Sequence, residues 1–290
     1  MNYREYKPCD PLAAYIECFW TYTAPPSPDV DSQPVNYCVP LGTAELIIHM
    51  EEQPSHILNL HGEGWGKSYN AFFTGLFDYT DLWKASPGST LFGVRMRPEA
   101  LELFFDIPVS ILYNQVTDAD AVLPVKQKRW LQRFFEKRDV ATLIVRMESF
   151  FLGRLHAMTP DHNAVAEGCR LIRKSQEPLS VEALSEQLCI SRRQLERNFK
   201  QSIGISPKNY QQIIRFRRLY QYIRSAGGKP IKWAGLSYPL GYSDQAHMVR
   251  DCKKFSSLTP LRLAAPDTGL FQSLEASVTA RYAYERVTSY

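Results

Sequence analysis

The pattern of apolar and polar positions divides the chain into two territories. Between residues 1 and 115, the stretches 44–50, 57–60, 69–77 and 90–96 are rich in β-branched and aromatic residues and predict strands. Gly42, Gly62, Gly64, Gly66 and the Pro87-Gly88 pair punctuate them, as turns punctuate an antiparallel sheet. Arg97-Pro98 opens a short helix predicted over 99–105, with proline at a favoured early position. Over 126–157 the pattern changes period. Trp130, Phe134, Phe135, Leu143, Ile144, Met147 and Phe151 recur at helical spacing, which predicts a helical connector.

Beyond residue 160 two stretches echo each other. Leu184-Ser185-Glu186-Gln187-Leu188-Cys189-Ile190-Ser191 and Leu236-Ser237-Tyr238-Pro239-Leu240-Gly241-Tyr242-Ser243 share the pattern L-S-x-x-L-[CG]-[IY]-S. Such internal repetition marks a duplicated structural unit. Each copy reads as helix, tight turn, helix. In the first, Ser180 is the expected N-cap, and Leu184 and Leu188 give one apolar face. Ser191 caps the next helix, and Gln194 completes a capping box. Leu195 and Phe199 then face the core, while Arg192, Arg193, Glu196, Arg197 and Lys200 face out. In the second, Ala234, Leu236, Ser237 and Leu240 predict the supporting helix. Gly241 supplies the turn, and Ser243 or Asp244 caps a helix with Met248 and Cys252 inward. Pro239 inside that supporting helix costs ~3 kcal/mol in a regular interior, so a kink and a looser second unit are expected.

A long helix from Pro207 to Arg224 joins the copies, decorated by Arg215, Arg217, Arg218 and Arg224 and stopped by Gly227-Gly228. Its ~27 Å approaches the ~34 Å between successive major grooves on one face of DNA. Charge sharpens this picture. The whole chain of 290 residues carries +4, but residues 171–265 hold 17 Lys+Arg against 6 Asp+Glu, a local +11 that leaves −7 elsewhere. A basic helical module joined to a mildly acidic one fits a nucleic-acid reader coupled to something else. Apolar content of 44% excludes wholesale disorder. The apolar runs are far shorter than the ~20 residues of a membrane span, and the N-terminus has no signal core, so a cytoplasmic location is expected. The six cysteines show no C-x-x-C pair and read as free, mostly buried thiols.

The order and spacing of these motifs resemble the DNA-binding domain of AraC/XylS-type transcription regulators. The matching pieces run from Leu179 to Ser191, through Leu195-x-Arg197-x-Phe199-Lys200 and Ile203-Gly204-Ile205-Ser206-Pro207 with Tyr210 and Arg215. They end with Leu240-Gly241-Tyr242-Ser243-Asp244-Gln245-Ala246-His247 and Leu258-Thr259-Pro260. The resemblance implies a seven-helix module with two helix-turn-helix units. By position it places Arg192, Arg193, Glu196, Arg197 and Lys200 at a first groove, and Gln245, Ala246, Val249, Arg250 and Lys253 at a second. Arg can read guanine and Gln adenine, while the remaining cations touch phosphates. Met248, Cys252 and Ser257 depart from the residues usual in the family.

The N-terminal residues Pro11-Leu12, Trp20, Val39-Pro40-x-Gly42, Glu45-Leu46, Gly75 and Gly93-Val94-Arg95-x-Arg97-Pro98 resemble an uncharacterised domain often joined to AraC-type modules. By analogy with better-understood regulators, such a domain is β-rich, often cupin-like, and senses a small molecule or pairs subunits. The expectation is therefore an α+β chain of two domains. An antiparallel β-rich sensor or dimerisation domain spans 1–125, and a helical connector spans 126–157. An all-α double helix-turn-helix domain follows at 158–265, then a tail at 266–290 that either holds a short helix over 270–286 or is disordered. The implied partner is double-stranded DNA. RNA polymerase, a small-molecule effector and a second copy of the chain are further candidates, and no membrane is implied.

The same residues bear on other chemistries. His49, His56, His61 and Glu63 cluster in sequence but lack the H-x-H pair of a cupin metal site. Trp20, Tyr22, Tyr37, Trp65, Tyr69, Phe73, Phe77 and Trp83 could line an effector pocket or form ordinary β-core. Arg95 and Arg97, on one face of a predicted strand, could meet an anionic effector or pair with Glu45 or Glu99. No nucleophile elbow, zincin motif or P-loop is present. Cys9, Cys18 and Cys38 are too widely spaced for the metal-bound cysteine of alkylated-DNA repair. No enzyme activity, cofactor or metal is therefore expected. A domain that only dimerises or binds a protein remains the rival role for the N-terminal half.

Overall fold

A computed structural model of the chain describes residues 2–51, 53–59, 64–133, 139–157, 163–175 and 177–265. Phe134, Phe135, His61, Glu63, Gly62 and the expected tail helix lie outside the described residues.

The first 118 residues are dominated by strands: β1 (Asn2–Tyr6), β2 (Ile16–Thr23), β3 (Asn36–Cys38), β4 (Ala44–His49), β5 (His56–Asn59), β6 (Gly64–Lys67), β7 (Ala71–Thr74), β8 (Asp81–Lys84), β9 (Thr90–Met96) and β10 (Val116–Asp118). They form two antiparallel sheets, ordered β1-β2-β9-β4-β7-β10 and β3-β8-β5-β6. The expected strand over 69–77 is confined to 71–74. Beyond it Gly75 lies too close to the Leu112 carbonyl, 2.1 Å from where its Cβ would sit, to carry a side chain. Register sets what can meet. Trp20 on β2 pairs with Gly93 on β9, and a Cβ at Gly93 would lie 2.0 Å from the indole. Glycine at 93 therefore lets the indole lie across the sheet, where its Nε1 donates to Glu45 Oε2 at 3.0 Å.

Helices follow: α1 (Pro98–Phe105), α2 (Ala119–Val122), α3 (Val125–Gln132), α4 (Val140–His156), α5 (Ala164–Lys174), α6 (Val181–Gln187), α7 (Arg192–Ser202), α8 (Pro207–Ser225), α9 (Gln245–Ser256) and α10 (Pro260–Leu263). The connector is thus at least two helices. Phe104, Phe105, Phe150 and Phe151 stack where α1 meets α4, an apolar contact that seats the connector on the sheet.

One apolar core runs without a break from Phe19 and Phe73 in the sheets through Phe151 to Phe199, Phe216 and Phe255 in the C-terminal helices. Buried ion pairs cross between the halves. Arg217 on α8 donates to both carboxylate oxygens of Glu17, at 2.9 and 2.7 Å, and to the Leu41 carbonyl at 3.1 Å. Arg173 on α5 pairs with Glu99 on α1 and donates to Tyr210 Oη at 2.9 Å. The Thr80 hydroxyl donates to the Phe255 carbonyl at 2.8 Å.

Three expectations are corrected here. The α8 arginines are not surface decoration: Arg217 and Arg224 are buried. Arg218 donates to the carbonyls of Ile172, Arg173 and Ser175. A nineteen-residue helix packed on several sides has little solvent face, so its guanidiniums turn to buried acceptors. Arg97 lies past β9, at the N-cap of α1, and donates to the Ala13 carbonyl instead of pairing with Glu99. Of the six free cysteines only Cys18, Cys169 and Cys252 are buried, because Cys189 occupies an exposed turn and Cys38 opens onto a cavity.

Candidate nucleic-acid interface and the N-terminal cavity

The first helix-turn-helix is built from local signals. The Ser180 hydroxyl accepts from Ala183 N at 3.0 Å and starts α6. Leu184 and Leu188 are buried beneath it. Cys189 takes a left-handed φ of +54°, and Ile190 N bonds back to the Ser185 carbonyl at 3.1 Å. The Ser191 hydroxyl then accepts from Gln194 N at 3.2 Å and starts α7. The return bond from the Gln194 side chain, expected of a capping box, is absent among the described residues. Leu195 and Phe199 are fully buried, which fixes the opposite face of α7 outward.

That outer face is not uniform. Arg192 bridges Glu182 on α6 at 2.6 Å and Glu196 one turn along at 3.1 Å. Lys200 donates to the Gly204 carbonyl at 2.8 Å and lies 5.9 Å over the Tyr113 ring, which draws it toward the β-domain. Arg193 and Arg197 are exposed and make no ion pair among the described residues.

The second unit is built differently. No α-helix forms over 234–240. Gly235 has φ +79°, and Pro239 sits in a 3-10 turn over Tyr238–Leu240. Proline has no N–H to donate, and a positive φ breaks helical continuity. The supporting element is therefore a turn, held by Tyr242 N on the Ser237 carbonyl at 2.9 Å. Asp244, not Ser243, caps α9, accepting from His247 N at 2.7 Å. Accepting that backbone N–H lowers its carboxyl from the ordinary value.

What replaces the missing helix is Arg215, reaching across from α8. Its guanidinium pairs with the buried Asp251 of α9, meets His247 Nε2 at 3.0 Å and donates to the Gly241 carbonyl at 3.4 Å. It also lies 4.7 Å over the Tyr242 ring. The sequence pattern named Arg215 but gave no sign of Asp251 as its partner, since the two are 36 residues apart. With Met248, Cys252 and Phe255 buried, Gln245, Ala246, Arg250 and Lys253 are left exposed and Val249 half-exposed. Both units thus present a capped helix whose first turns carry free donors, Arg193 and Arg197 in one, Gln245 and Arg250 in the other.

A cavity of about 110 Å³ lies between the two β-sheets. Of the eight aromatics singled out in the sequence, Trp20, Tyr22, Tyr37, Phe77 and Trp83 line it. Phe73 lies in the core, and Trp65 and Tyr69 are exposed. Arg95 reaches the cavity but is saturated by carboxylates, Glu45 at 2.6 Å and Glu5 at 3.1 Å. Asp81 also lines the cavity and is buried. Among the described residues its carboxylate accepts only from Leu82 N, at 2.9 Å, and burial pushes its carboxyl up to about 6. The hydroxyl of Ser55, another buried lining residue, has no partner among the described residues. His49 points elsewhere, to Ser68 Oγ at 3.1 Å and Ser55 N at 3.2 Å, and burial lowers it to about 4. Among the described residues no three His, Cys, Asp or Glu side chains gather to hold a metal ion.

The loop 39–43 is a wall shared by this cavity and α8. Val39, Pro40, Leu41 and Thr43 line the cavity. Gly42, at φ +69°, lies against α8 so closely that a Cβ would be 2.9 Å from Ile214 Cδ1 and 3.3 Å from Ile213 Cγ2. The Leu41 carbonyl takes the bond from Arg217.

Comparison with known proteins places both halves. Residues 4–118 match a domain of unknown function, DUF6597, and residues 184–265 match a helix-turn-helix domain. Over 85 residues, 29% of this chain, the sequence is 35% identical to the HTH-type transcriptional regulator ArgR of Pseudomonas aeruginosa, and it spans 25% of that protein's length. Among solved structures, ToxT of Vibrio cholerae bound to (E)-4-(8-methylnaphthalen-1-yl)but-3-enoic acid aligns with a TM-score of 0.46 at 12% identity, over 85% of this chain and 98% of that one. Wild-type ToxT of Vibrio cholerae bound to an unsaturated fatty acid gives 0.43 at 11% identity, over 83% and 93%. The AraC-like transcriptional activator CuxR gives 0.28 at 17%, over 71% and 76%. Among the described residues no helix is long and apolar enough to cross a membrane. The chain therefore joins a region that matches DUF6597 to one that matches a helix-turn-helix domain.

Proposed function

We propose that the chain is a sequence-specific DNA-binding transcription regulator whose operator affinity is set by a small molecule in the N-terminal cavity. The observation that carries the first part is the pair of capped helices, α7 and α9, each with exposed Arg or Gln in its opening turns. They are joined by α8, nineteen residues and so about 28 Å long. Two such helices suit successive major grooves. Arg193, Arg197, Gln245 and Arg250 would read bases, and Lys253 would touch phosphate. In the free protein Arg192 and Glu196 face one another on the outer surface and Lys200 meets the Gly204 carbonyl. Arg192 is solvent-exposed and its ion pairs are weak, so a phosphate can take their place.

The second part is supported by the shared wall. A ligand that shifts the loop 39–43 pushes directly on Ile214 and Arg217 of α8, the element that spaces the two reading helices. By linkage, operator DNA must then change effector affinity by the same factor.

The test is retention of a genomic fragment pool by the purified chain at moderate salt, with sequencing of what is held. The expected result is one asymmetric motif spanning two major grooves, with affinity falling steeply as salt rises. Arg197→Ala should lose about 1–3 kcal/mol at one base position; a uniform loss across site variants would make it a phosphate contact. A retained pool without any motif would overturn the reading.

A further inference from the structure

We propose that the N-terminal cavity takes a small organic cation, an amine or a quaternary ammonium, held by Asp81 within an aromatic wall. This rests on the effector reading above and names the chemical class of that effector.

The argument begins with charge. Among the described lining residues the only cation is Arg95, and it is already shared by two carboxylates, Glu45 and Glu5. Glu5 further accepts from the Tyr3 hydroxyl at 2.7 Å, and Glu45 from the Trp20 indole. This cluster carries one negative charge in excess before Asp81 is counted. Asp81 adds another. It has no ion pair among the described residues, and its Oδ1 takes only the neighbouring backbone N–H. Cys38, its register partner on β3, is a free thiol and brings no cation to it. An anion entering this space would face two uncompensated carboxylates with no free cation to receive it. A cation would meet a vacant partner.

The walls favour the same class. Trp20, Tyr22, Tyr37 and Trp83 surround the space with ring faces and edges, with Tyr22 and Trp83 packed edge to face at 5.2 Å. Aromatic faces attract cations most when water is excluded. The unpartnered Ser55 hydroxyl, buried in the same lining, offers an acceptor for an ammonium N–H. Size limits the ligand. An engineered apolar cavity of about 150 Å³ holds benzene, so a cavity of about 110 Å³ suits a compact molecule of one ring or less. Burying an unpaired carboxylate is unfavourable for folding. A cationic ligand removes that penalty and so gains affinity from it.

The experiment uses the full chain without DNA, so that it stands apart from the operator test. Cyclopentylamine, cyclopentanol and cyclopentanecarboxylate, each a single small ring, differ mainly in charge, and each is titrated by calorimetry and by tryptophan fluorescence. The amine should bind at least about tenfold more tightly than the alcohol, a difference of about 1.4 kcal/mol, and the acid should bind weakest. Asp81→Asn should bring the amine to the level of the alcohol while the alcohol's own affinity holds. Tighter binding of the acid, equal binding of all three, or no binding of any at millimolar concentration would overturn the proposal. So would full amine affinity in a folded Asp81→Asn protein. If the acid binds and alters operator affinity, the regulator reading survives and the ligand class is wrong.

Discussion

Asp251 and Asp81 are almost equally buried, 6% and 8% exposed, yet they keep opposite company. Asp251 sits under α9 with Arg215 paired to it, and the arginine ties in His247, Gly241 and Tyr242 as well. Asp81 faces a cavity with one backbone N–H bonded to it and no ion pair among the described residues. A buried carboxylate with its own guanidinium is part of the framework, because each charge makes the other tolerable. A buried carboxylate left alone is a cost the fold carries, and sites that carry such costs are where ligands act.

The largest effect expected from this contrast is at Arg215. Arg215→Ala strands Asp251 and should destabilise the chain by about 3–5 kcal/mol, read as a lower urea midpoint. Arg192→Ala, which breaks only exposed pairs, should leave that midpoint unchanged. If the two variants behave alike, the division between framework and surface charge fails.

Asp81→Asn should act with the opposite sign. The carboxyl is held up at about 6 against an ordinary 3.8, so the folded chain binds its proton more tightly than the unfolded chain does. Its contribution to stability therefore falls as pH rises through the window from about 4 to about 6 and stays low above it. The variant should be more stable than the parent by about 2–3 kcal/mol at pH 7.5, and the difference should vanish by about pH 4. His49, lowered to about 4 by burial, works the other way, losing stability as pH falls below its ordinary 6.5. Comparing variant with parent at each pH cancels that term. A parent more stable than the variant at pH 7.5 would mean that Asp81 has a partner after all.

The smallest expected effect concerns the helix that bears Asp251. α9 ends at Ser257 with φ +60°, a left-handed position better suited to glycine. Ser257→Gly should add about 1 kcal/mol, measured by thermal unfolding. It should not rescue Arg215→Ala, because the end of the helix and its buried charge are separate matters.

The first helix-turn-helix was legible residue by residue, because its signals are local. Ser180 and Ser191 cap, Leu184, Leu195 and Phe199 bury, and Arg193 and Arg197 are left outside. The second was legible as a repeat but not as a structure. Its support comes from Arg215, more than a helix away, and no local pattern records that contact. The same limit applies to the arginines of α8. Helical spacing put them on an exposed face, whereas tertiary packing gave Arg215, Arg217 and Arg218 a carboxylate or carbonyl to meet and buried Arg224. The local charge of +11 is therefore a poor guide to the charge available to DNA. In the β-domain the aromatic inventory was readable. Which aromatics face the cavity was not, since that depends on strand register, with Trp20 opposite Gly93, and on the pairing of β3 with β8 that sets Cys38 against Asp81.

The shared wall at 39–43 limits how freely nature or an engineer can exchange these domains. A chimera that keeps this DNA module but takes a sensor from another protein loses Gly42 and the Leu41 carbonyl, and with them the seats of Ile214 and Arg217. On the proposed function, such a hybrid would still recognise its operator while becoming deaf to its signal. To stay responsive, the transplanted piece has to bring both faces of the contact, the five-residue loop and the side of α8 that rests on it.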